Sequence, residues 1–303
     1  MNLSQLEILV AVAEAGSFTE AADRVGLTRS ALSHALANLE AELGVALLER
    51  GRGHIMPTAV GDCILRYAHD ILSKVEIIQQ EAAAARGLQV GKLRVGIVSS
   101  LSATILAGIL RKFRHEYPGI DVVTFEGTGR EVEQWILNSA VDIGFVLRQA
   151  AGIDSVFIGC DEVRVVVPID HPLRKQRTVV LEQLLHDSFV MPKIACDFLD
   201  PSQPTTKQID LQKRYEATEV QTILAMVREG LGITILPEML LPTPLEGLHL
   251  LSLDPPLRFR FGVGVRSLRS CSPAARMFLQ SAQTWASANG FKYDEDTLVA
   301  DLA

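Results

Sequence analysis

Side chains that can hydrogen-bond to DNA are grouped within the first sixty residues of the 303-residue sequence. Arg29 stands at the start of a predicted helix, and Ser33 and His34 follow about one turn later on one side of it. Guanidinium, hydroxyl and imidazole groups placed there can reach phosphates and base edges in the major groove. The small residues Ser30 and Ala37 would let the helix backbone approach closely. These residue types favour nucleic-acid recognition over catalysis.

Three predicted helices hold these side chains in place. Ser17 and Glu20 have the spacing of a capping box, which predicts a short second helix, and Gly26 makes the turn after it. Thr28 is a predicted N-cap for a third helix that runs through Glu42. The apolar side of that helix is a stripe of Leu32, Leu36, Leu39 and Leu43. This is the helix-turn-helix pattern, although the helices alone also fit a plain three-helix packing unit.

The following segment, LLERGRGHIMPTAVG, has the pattern of a β-wing. Two apolar stretches flank a glycine-rich tip at Gly51 and Gly53, and Arg50, Arg52 and His54 lie around that tip. A wing of this kind lies along the minor groove, where arginines contact phosphates or enter the narrow groove. The wing therefore favours DNA binding over the plain packing unit.

The run that includes AEAGSFTEAA, SHALANLEAELG and LLER closely resembles the N-terminal winged helix-turn-helix of LysR-type transcriptional regulators. The resemblance implies double-stranded promoter DNA as a partner. Arg29-Ser30 stands where the family commonly has Gln-Pro or Gln-Ser, so we expect the base preference in each half-site to differ. The expected DNA-binding residues are Thr28, Arg29, Ser30, Ser33, His34, Arg50, Arg52 and His54.

The charge of the chain does not by itself indicate a DNA-binding protein. The formal net charge is -7, and residues 1–58 hold 4 basic and 7 acidic side chains, which gives 4 − 7 = −3. Three of those four basic residues are Arg29, Arg50 and Arg52, at the predicted interface. Because each neutralised phosphate adds one increment to affinity, a single copy should bind DNA weakly and a dimer more tightly.

A long helix is predicted from Thr58 to Arg86, where the sequence contains no proline. An apolar seam with heptad-like spacing runs along it. Packing of the seam on the protein's own domains remains open, but the resemblance implies a linker helix that pairs with a second copy. We therefore expect a dimer through this helix and a homotetramer as a dimer of dimers. The seam residues are Ile64, Ala68, Ile71, Val75, Ile78 and Ala82.

After Gly91 strands and helices alternate, which predicts an α/β fold. Two lobes joined by crossing strands near 163–167 and 258–265 resemble the effector domain of LysR-type regulators, which has the type II periplasmic-binding-protein fold. The expected domains are a winged helix-turn-helix at 1–58, a linker and dimerisation helix at 59–88, and an effector-binding domain at 89–303. Lobe I is expected at about 92–162 and 267–303, and lobe II at about 163–266.

Polar side chains follow several predicted strands of this domain, where a cleft between the lobes would bind a ligand. Hydroxyls and two cations would suit a small carboxylate or similar anion as the effector. For each residue alone, helix capping or solvation is an open alternative. The expected effector-binding residues are Ser99, Ser100, Ser102, Thr104, Thr128, Arg148, Lys193 and Thr218.

Other functions find less support in the sequence. It lacks G-x-S-x-G, P-loop, G-x-G-x-x-G and H-E-x-x-H motifs, so we expect no enzyme, cofactor or metal site. A ligand-binding enzyme is the alternative, but it leaves the wing arginines and the helical seam unexplained. The four cysteines are scattered, and oxidant sensing by Cys196 is a minor alternative to structural thiols. With no apolar run of about 18 residues, we expect no membrane contact and a cytoplasmic protein.

Taken together, the resemblance implies a bacterial transcriptional regulator that binds an interrupted inverted repeat. It would respond to a small-molecule effector between its lobes and alter contacts with RNA polymerase.

Overall fold

A computed structural model describes residues 1–50, 54–98, 101, 105–147, 149–193 and 212–291. The first part is a head of three helices and a two-stranded wing, followed by a long helix. The bounds are α1 Leu3–Ala15, α2 Phe18–Val25, α3 Arg29–Leu43, β1 Leu48–Arg50, β2 Ile55–Pro57 and α4 Ala59–Ala84.

The C-terminal part alternates strands and helices. In its first lobe are β3 Gly91–Val98, α5 Ala107–Glu116, β4 Ile120–Gly127, α6 Gly129–Leu137, β5 Ile143–Val146 and the long β6 Asp154–Pro168. After it come β7 Thr178–Val179, β8 Ser188–Pro192, β9 Gln212–Ala217, α7 Val220–Arg228, β10 Thr234–Pro237 and β11 Leu248–Leu253. The last elements of the described part are β12 Arg258–Val265 and α8 Pro273–Ala288. Among the described residues, short 3-10 helices occupy Pro172–Lys175, Leu181–Leu184 and Glu238–Leu240.

One strand, β6, belongs to both lobes. The described strands of the main sheet follow the order β4-β3-β5-β12-β6-β11-β7, and β10 also pairs with β6. The first half of β6 pairs antiparallel with β12, and its second half pairs with β10 and β11. Strands β8 and β9 form a separate parallel pair in lobe II.

Strand β12, predicted from the sequence as one of two strands that cross between the lobes, pairs with strands of lobe I. The sequence pattern predicts lobe II over residues 163–266, but β12 lies between β5 and β6 in the sheet of lobe I, paired with Asp154 to Glu162. The sequence pattern predicts a strand at residues 258–265. Its lobe is known only from its pairing with β5 and β6.

The head and the effector domain have separate cores. In the head, α1, α2 and α3 pack around Leu9, Val12, Leu32 and Leu36, and Leu65 brings the start of α4 into the same cluster. The largest core lies in lobe I and extends along the strands, while α7 packs on a smaller core in lobe II. The burial of Leu65 shows that the start of the linker helix packs on the head.

One local prediction in the head was wrong, and one residue of the leucine stripe is exposed. Ser17 occupies the N-cap of α2, but its side chain makes no capping hydrogen bond. The carboxylate of Glu20 instead forms an ion pair with Arg24, one turn along the helix, at 2.5 Å. Leu43 is 37% exposed because α3 ends there at Gly44, beyond the last contact with the head core.

Candidate nucleic-acid interface and effector cleft

The turn between α2 and α3 presents the first predicted DNA-binding residues. Gly26 ends α2 with a φ of 67°, a left-handed conformation that a side chain would disfavour. Thr28 then caps α3, because its Oγ1 accepts the backbone N–H of Ala31 at 3.2 Å. Arg29 and Ser30 follow at the exposed N-terminal end of α3. The positive end of the helix and the guanidinium are thus available to a phosphate.

The outer side of α3 carries the remaining predicted recognition residues. Ser33 is half-buried and His34 is exposed, whereas Leu32 and Leu36 on the opposite side are buried. The Nδ1 atom of His34 lies 3.1 Å from the Nδ2 atom of Asn38. Asn38 was missed by the sequence analysis, although its spacing of four residues from His34 predicts the same helix side. An exposed amide on this side can bond to an adenine edge.

The wing is fixed to α3 by partly buried polar contacts. Strands β1 and β2 pair antiparallel from Leu48–Pro57 to Arg50–Ile55. The carboxylate of Glu40 accepts the backbone N–H groups of Leu47 and Leu48 at 2.7 and 3.2 Å. Glu40 therefore positions the wing, and its charge is already compensated by two donors.

The wing tip is described in part. His54 is exposed directly before β2, and Ile55 donates its N–H to the carbonyl of Gly16 at 3.1 Å. Arg50 belongs to β1, but its side chain lies outside the described part, as does all of Arg52. Of the predicted DNA-binding residues in the described part of the head, Thr28, Arg29, Ser30, His34 and His54 are exposed and Ser33 is half-buried.

The predicted seam of α4 divides between two environments. Ala68 is buried, and Ile64 and Val75 are half-buried. Ile71 is 38% exposed and Ile78 is 67% exposed. Most of the Tyr67 side chain is exposed as well. Ala82, the last seam residue, is exposed as well. The helix thus packs on its own protein along one side and keeps an exposed apolar side along the other.

Three predicted effector residues lie in the described part of the chain. Thr128 follows β4 and caps α6: its Oγ1 accepts the N–H of Glu131, and Glu131 accepts the N–H of Thr128 at 2.8 Å. These bonds from Thr128 hold the pKa of Glu131 below its ordinary value. The Thr128 hydroxyl also lies 2.8 Å from the Glu131 carboxylate, so capping occupies it.

Lys193 and Thr218 are brought together at one edge of lobe II. Because β8 and β9 run parallel, their carboxyl ends are adjacent, and Lys193 donates its N–H to the carbonyl of Ala217 at 2.9 Å. Lys193 and Thr218 are both exposed. The N-cap of α7 is Glu219, so Thr218 is not the capping residue. The other predicted cleft residues, Ser99, Ser100, Ser102, Thr104 and Arg148, lie outside the described residues, as does Cys196.

The fold and the head define a DNA-binding regulator with a ligand-binding domain. Residues 3–62 match the family model "Bacterial regulatory helix-turn-helix protein, lysR family", and residues 86–287 match "LysR substrate binding domain". The chain belongs to the LysR family of transcriptional regulators. The similar proteins described in the next paragraph are regulators of transcription rather than enzymes.

Similar proteins extend over nearly the whole chain. The Bacillus subtilis regulator YvbU is 33% identical over 93% of this chain and 98% of its own length. The probable regulator LrrA of Synechococcus elongatus is 37% identical over 92% of this chain and 95% of its own.

Two solved structures share the fold. A full-length OxyR variant from Pseudomonas aeruginosa has a TM-score of 0.74 at 19% identity, over 93% of this chain and 98% of its own. CbnR in complex with its target DNA has a TM-score of 0.61 at 22% identity, over 94% and 100%. In the part of the chain that the structure describes, no helix is both long and apolar enough to span a membrane.

Proposed function

We propose that the protein is a cytoplasmic regulator that binds an interrupted inverted repeat in promoter DNA and adjusts RNA polymerase contacts in response to an effector. The observation that carries this proposal is the exposed N-terminal end of α3, where Arg29 is exposed and is followed by the half-buried Ser33 and the exposed His34. A single head offers few cations, so two heads joined through α4 would supply the affinity that one lacks. A tetramer would form from two such dimers.

The proposed dimer contact uses the exposed apolar side of α4. Ile78 is 67% exposed and Ile71 lies two turns before it, so both would be covered by the same helix of a second copy. An apolar stripe with heptad-like spacing gains stability when a partner helix covers it. A partner helix could cover this stripe without any change in the packing of the head.

Replacing Ile78 with glutamate should show how much the dimer contributes to DNA affinity. We expect I78E to bind a complete inverted repeat roughly 100-fold more weakly than wild type, because the second head no longer adds its contacts. Half-site affinity should remain unchanged. The matched control is Q79E, which adds the same charge at an exposed neighbour on another side of the helix. Gel shifts at several salt concentrations and sedimentation measure both properties.

Two results would contradict this part of the proposal. Equal wild-type affinity for the complete repeat and the half-site would remove the reason for a dimer. Equal losses of affinity for the complete repeat in I78E and Q79E would attribute the loss to the added charge and not to the exposed apolar side of α4. Absence of any salt-sensitive, sequence-selective shift on DNA upstream of its own gene would refute the regulator proposal itself.

The effector proposal rests on the polar residues after the strands. Lys193 and Thr218 lie at one edge of lobe II, and a small carboxylate or similar anion would suit a cation beside hydroxyl groups. We expect isothermal titration with candidate carboxylates to show binding that S100A and R148A each weaken roughly tenfold. T128A is the internal comparison, because capping already engages its hydroxyl. Binding unchanged in both S100A and R148A would exclude this cleft.

A further inference from the structure

A cavity lies where α4 rests on lobe I. Its volume of about 360 Å³ is within the range of roughly 300–1,000 Å³ that is typical of small-molecule pockets. The helix contributes side chains at steps of three and four residues, from Asp70 to Ile77, so they lie on one side of α4. The opposite wall is formed by α6, by the residues before β5 and by the segment between β12 and α8. The cavity is therefore enclosed by elements from two parts of the chain.

This cavity is separate from the proposed effector cleft. The predicted cleft residues include those that follow the carboxyl ends of β3 and β5, beyond Val98 and Val146. The cavity lies at the other end of β5, where Val141 and Asp142 precede the strand. A ligand in the cavity would therefore not compete for the residues that are proposed to hold the effector.

Two contacts of α4 with lobe I fix the walls of the cavity. Gln80 is only 6% exposed; its Nε2 donates to the carbonyl of Lys92 at 2.9 Å, and its Oε1 accepts the N–H of Ala274 at 3.3 Å. The guanidinium of Arg94 in β3 pairs with Glu76 of α4 at 2.6 Å. The cavity is thus a gap within a bonded contact, and its walls need little ordering when a ligand binds.

The more buried part of the lining is aliphatic. Ile136, Val141 and Val265 line the cavity from lobe I, and all three side chains are buried. Cys271 is buried beside them, and the half-buried Ile77 lines the cavity from α4. Water at such a surface gains few hydrogen bonds, so an apolar group that displaces it is favoured. This part of the cavity suits the hydrocarbon body of a ligand.

Both carboxylates of the lining are already compensated. Asp70 pairs with Arg266 and accepts the hydroxyl of Ser139 at 2.6 Å. Asp142 lies 3.5 Å from the guanidinium of Arg94 and accepts the backbone N–H of Arg94 at 2.7 Å. A cationic ligand would have to compete with these partners. The two acidic side chains therefore do not favour a cation in the cavity.

Lys74 carries the charge of the lining that is left over. It is exposed, and it forms no ion pair with another residue in the part of the chain that the structure describes. The lining also includes the half-buried Ser73 on the same helix and Ser267 and Ser270 on the facing segment. An ammonium group and hydroxyl groups are donors for an anion, and a bond from a charged donor to a carboxylate is stronger than one between neutral groups. The polar part of the cavity suits a carboxylate.

We propose that this cavity is a second ligand site, which takes a small monocarboxylate with a branched or cyclic aliphatic body. The carboxylate pairs with Lys74 and accepts hydrogen bonds from the serine hydroxyls. The hydrocarbon body lies against Ile136, Val141 and Val265. A neutral amide of the same shape fills the apolar part equally well but lacks the charge that pairs with Lys74. The site goes beyond the proposed function and does not depend on DNA binding.

The test is isothermal titration of the full-length protein with 4-methylpentanoate and cyclohexanecarboxylate, and with the amide of each. The K74M variant removes the charge and keeps a side chain of similar length. S73F places a ring in the cavity and leaves the ion pairs in its walls in place. K175M is the matched control for K74M, because Lys175 is exposed in lobe II. S287F is the matched control for S73F, because Ser287 is exposed on α8 and does not line the cavity.

We expect wild type to bind each carboxylate roughly tenfold or more tightly than its amide. K74M should lose this preference, and S73F should bind neither form. K175M and S287F should match wild type. No binding of either carboxylate to wild type would overturn the proposal, as would equal affinity for a carboxylate and its amide. Wild-type affinity in K74M would also overturn it, and this result stands even if S73F fails to fold.

Hydrogen exchange with and without 4-methylpentanoate locates the bound molecule. Slower exchange in residues 70–77 and 267–272 is expected, because the ligand stabilises the state that binds it. Loss of binding in R148A with wild-type binding in K74M would place the carboxylate in the proposed effector cleft and overturn the second site. The regulator proposal fails by a different measurement, the absence of a sequence-selective DNA shift, which would leave these titrations unchanged.

Discussion

Replacing Gly61 with alanine is expected to reduce the free energy of unfolding of the head by roughly 1–3 kcal/mol. A Cβ atom at Gly61 would lie 1.9 Å from the carbonyl oxygen of Leu47 and 2.9 Å from its carbonyl carbon. Both are backbone atoms, so no flexible side chain can move aside. The Leu47 oxygen also accepts the N–H of Thr58 at 2.9 Å, a bond that joins the wing to the start of α4. The added methyl group must break this junction or displace the wing.

DNA binding should therefore fall together with stability in G61A. The N–H of Leu47 is bonded to Glu40 of α3, so a displaced Leu47 changes the position of the wing relative to the recognition residues. The loss of stability is measured by urea unfolding, with hydrogen exchange of α1 and α3 as the readout. The loss of DNA binding is measured by gel shifts. The control is A59S, an exposed position at the start of the same helix. Wild-type stability in G61A would show that the junction adapts, contrary to this expectation.

Reversing the charge of Arg29 should lower affinity for the complete operator by roughly 100-fold. Arg29 is exposed at the N-terminal end of α3, where the N–H groups of the helix also favour an anion. R29E removes one cation and adds one carboxylate in each of two heads, so it both loses an attraction and creates a repulsion. The logarithmic dependence of affinity on salt should become shallower.

The matched control for R29E is R86E, which makes the same change of charge in an exposed residue just after α4. Fluorescence anisotropy with labelled operator at four or more salt concentrations yields both the affinity and the salt slope. Equal losses in the two variants would attribute the effect to net charge and not to a contact by Arg29. R29K then separates the contributions of charge and guanidinium geometry, since lysine cannot donate in a bidentate manner.

Local rules in the sequence predicted most of the head correctly. Thr28 caps α3 and Gly16 ends α1 in the left-handed conformation, because both effects depend only on residues within one turn. The Ser17 capping box did not form because a second local rule applies to the same side chain. Glu20 pairs with Arg24 at the i,i+4 spacing, and that ion pair competes with capping.

Contacts between distant segments could not be predicted in this way. Gln80 meets Ala274 across 194 positions of sequence, and glutamine on a helix has no feature that distinguishes it from a solvated residue. The heptad-like pattern of α4 identified one apolar side but not the polar side that docks on lobe I. The assignment of β12 to lobe I likewise depends on pairing with β5 and β6.

The central place of β12 has a consequence for synthesis of the chain on the ribosome. Strands β5 and β6 are complete by Pro168, yet the strand that separates them begins only at Arg258. Every residue of β5 is buried in the finished protein. While lobe II is being translated, the edge of β5 that later pairs with β12 has unpaired backbone groups, and these can pair with another nascent chain. Premature termination before β12 should therefore produce aggregates, and chaperone capture should be greatest during this interval.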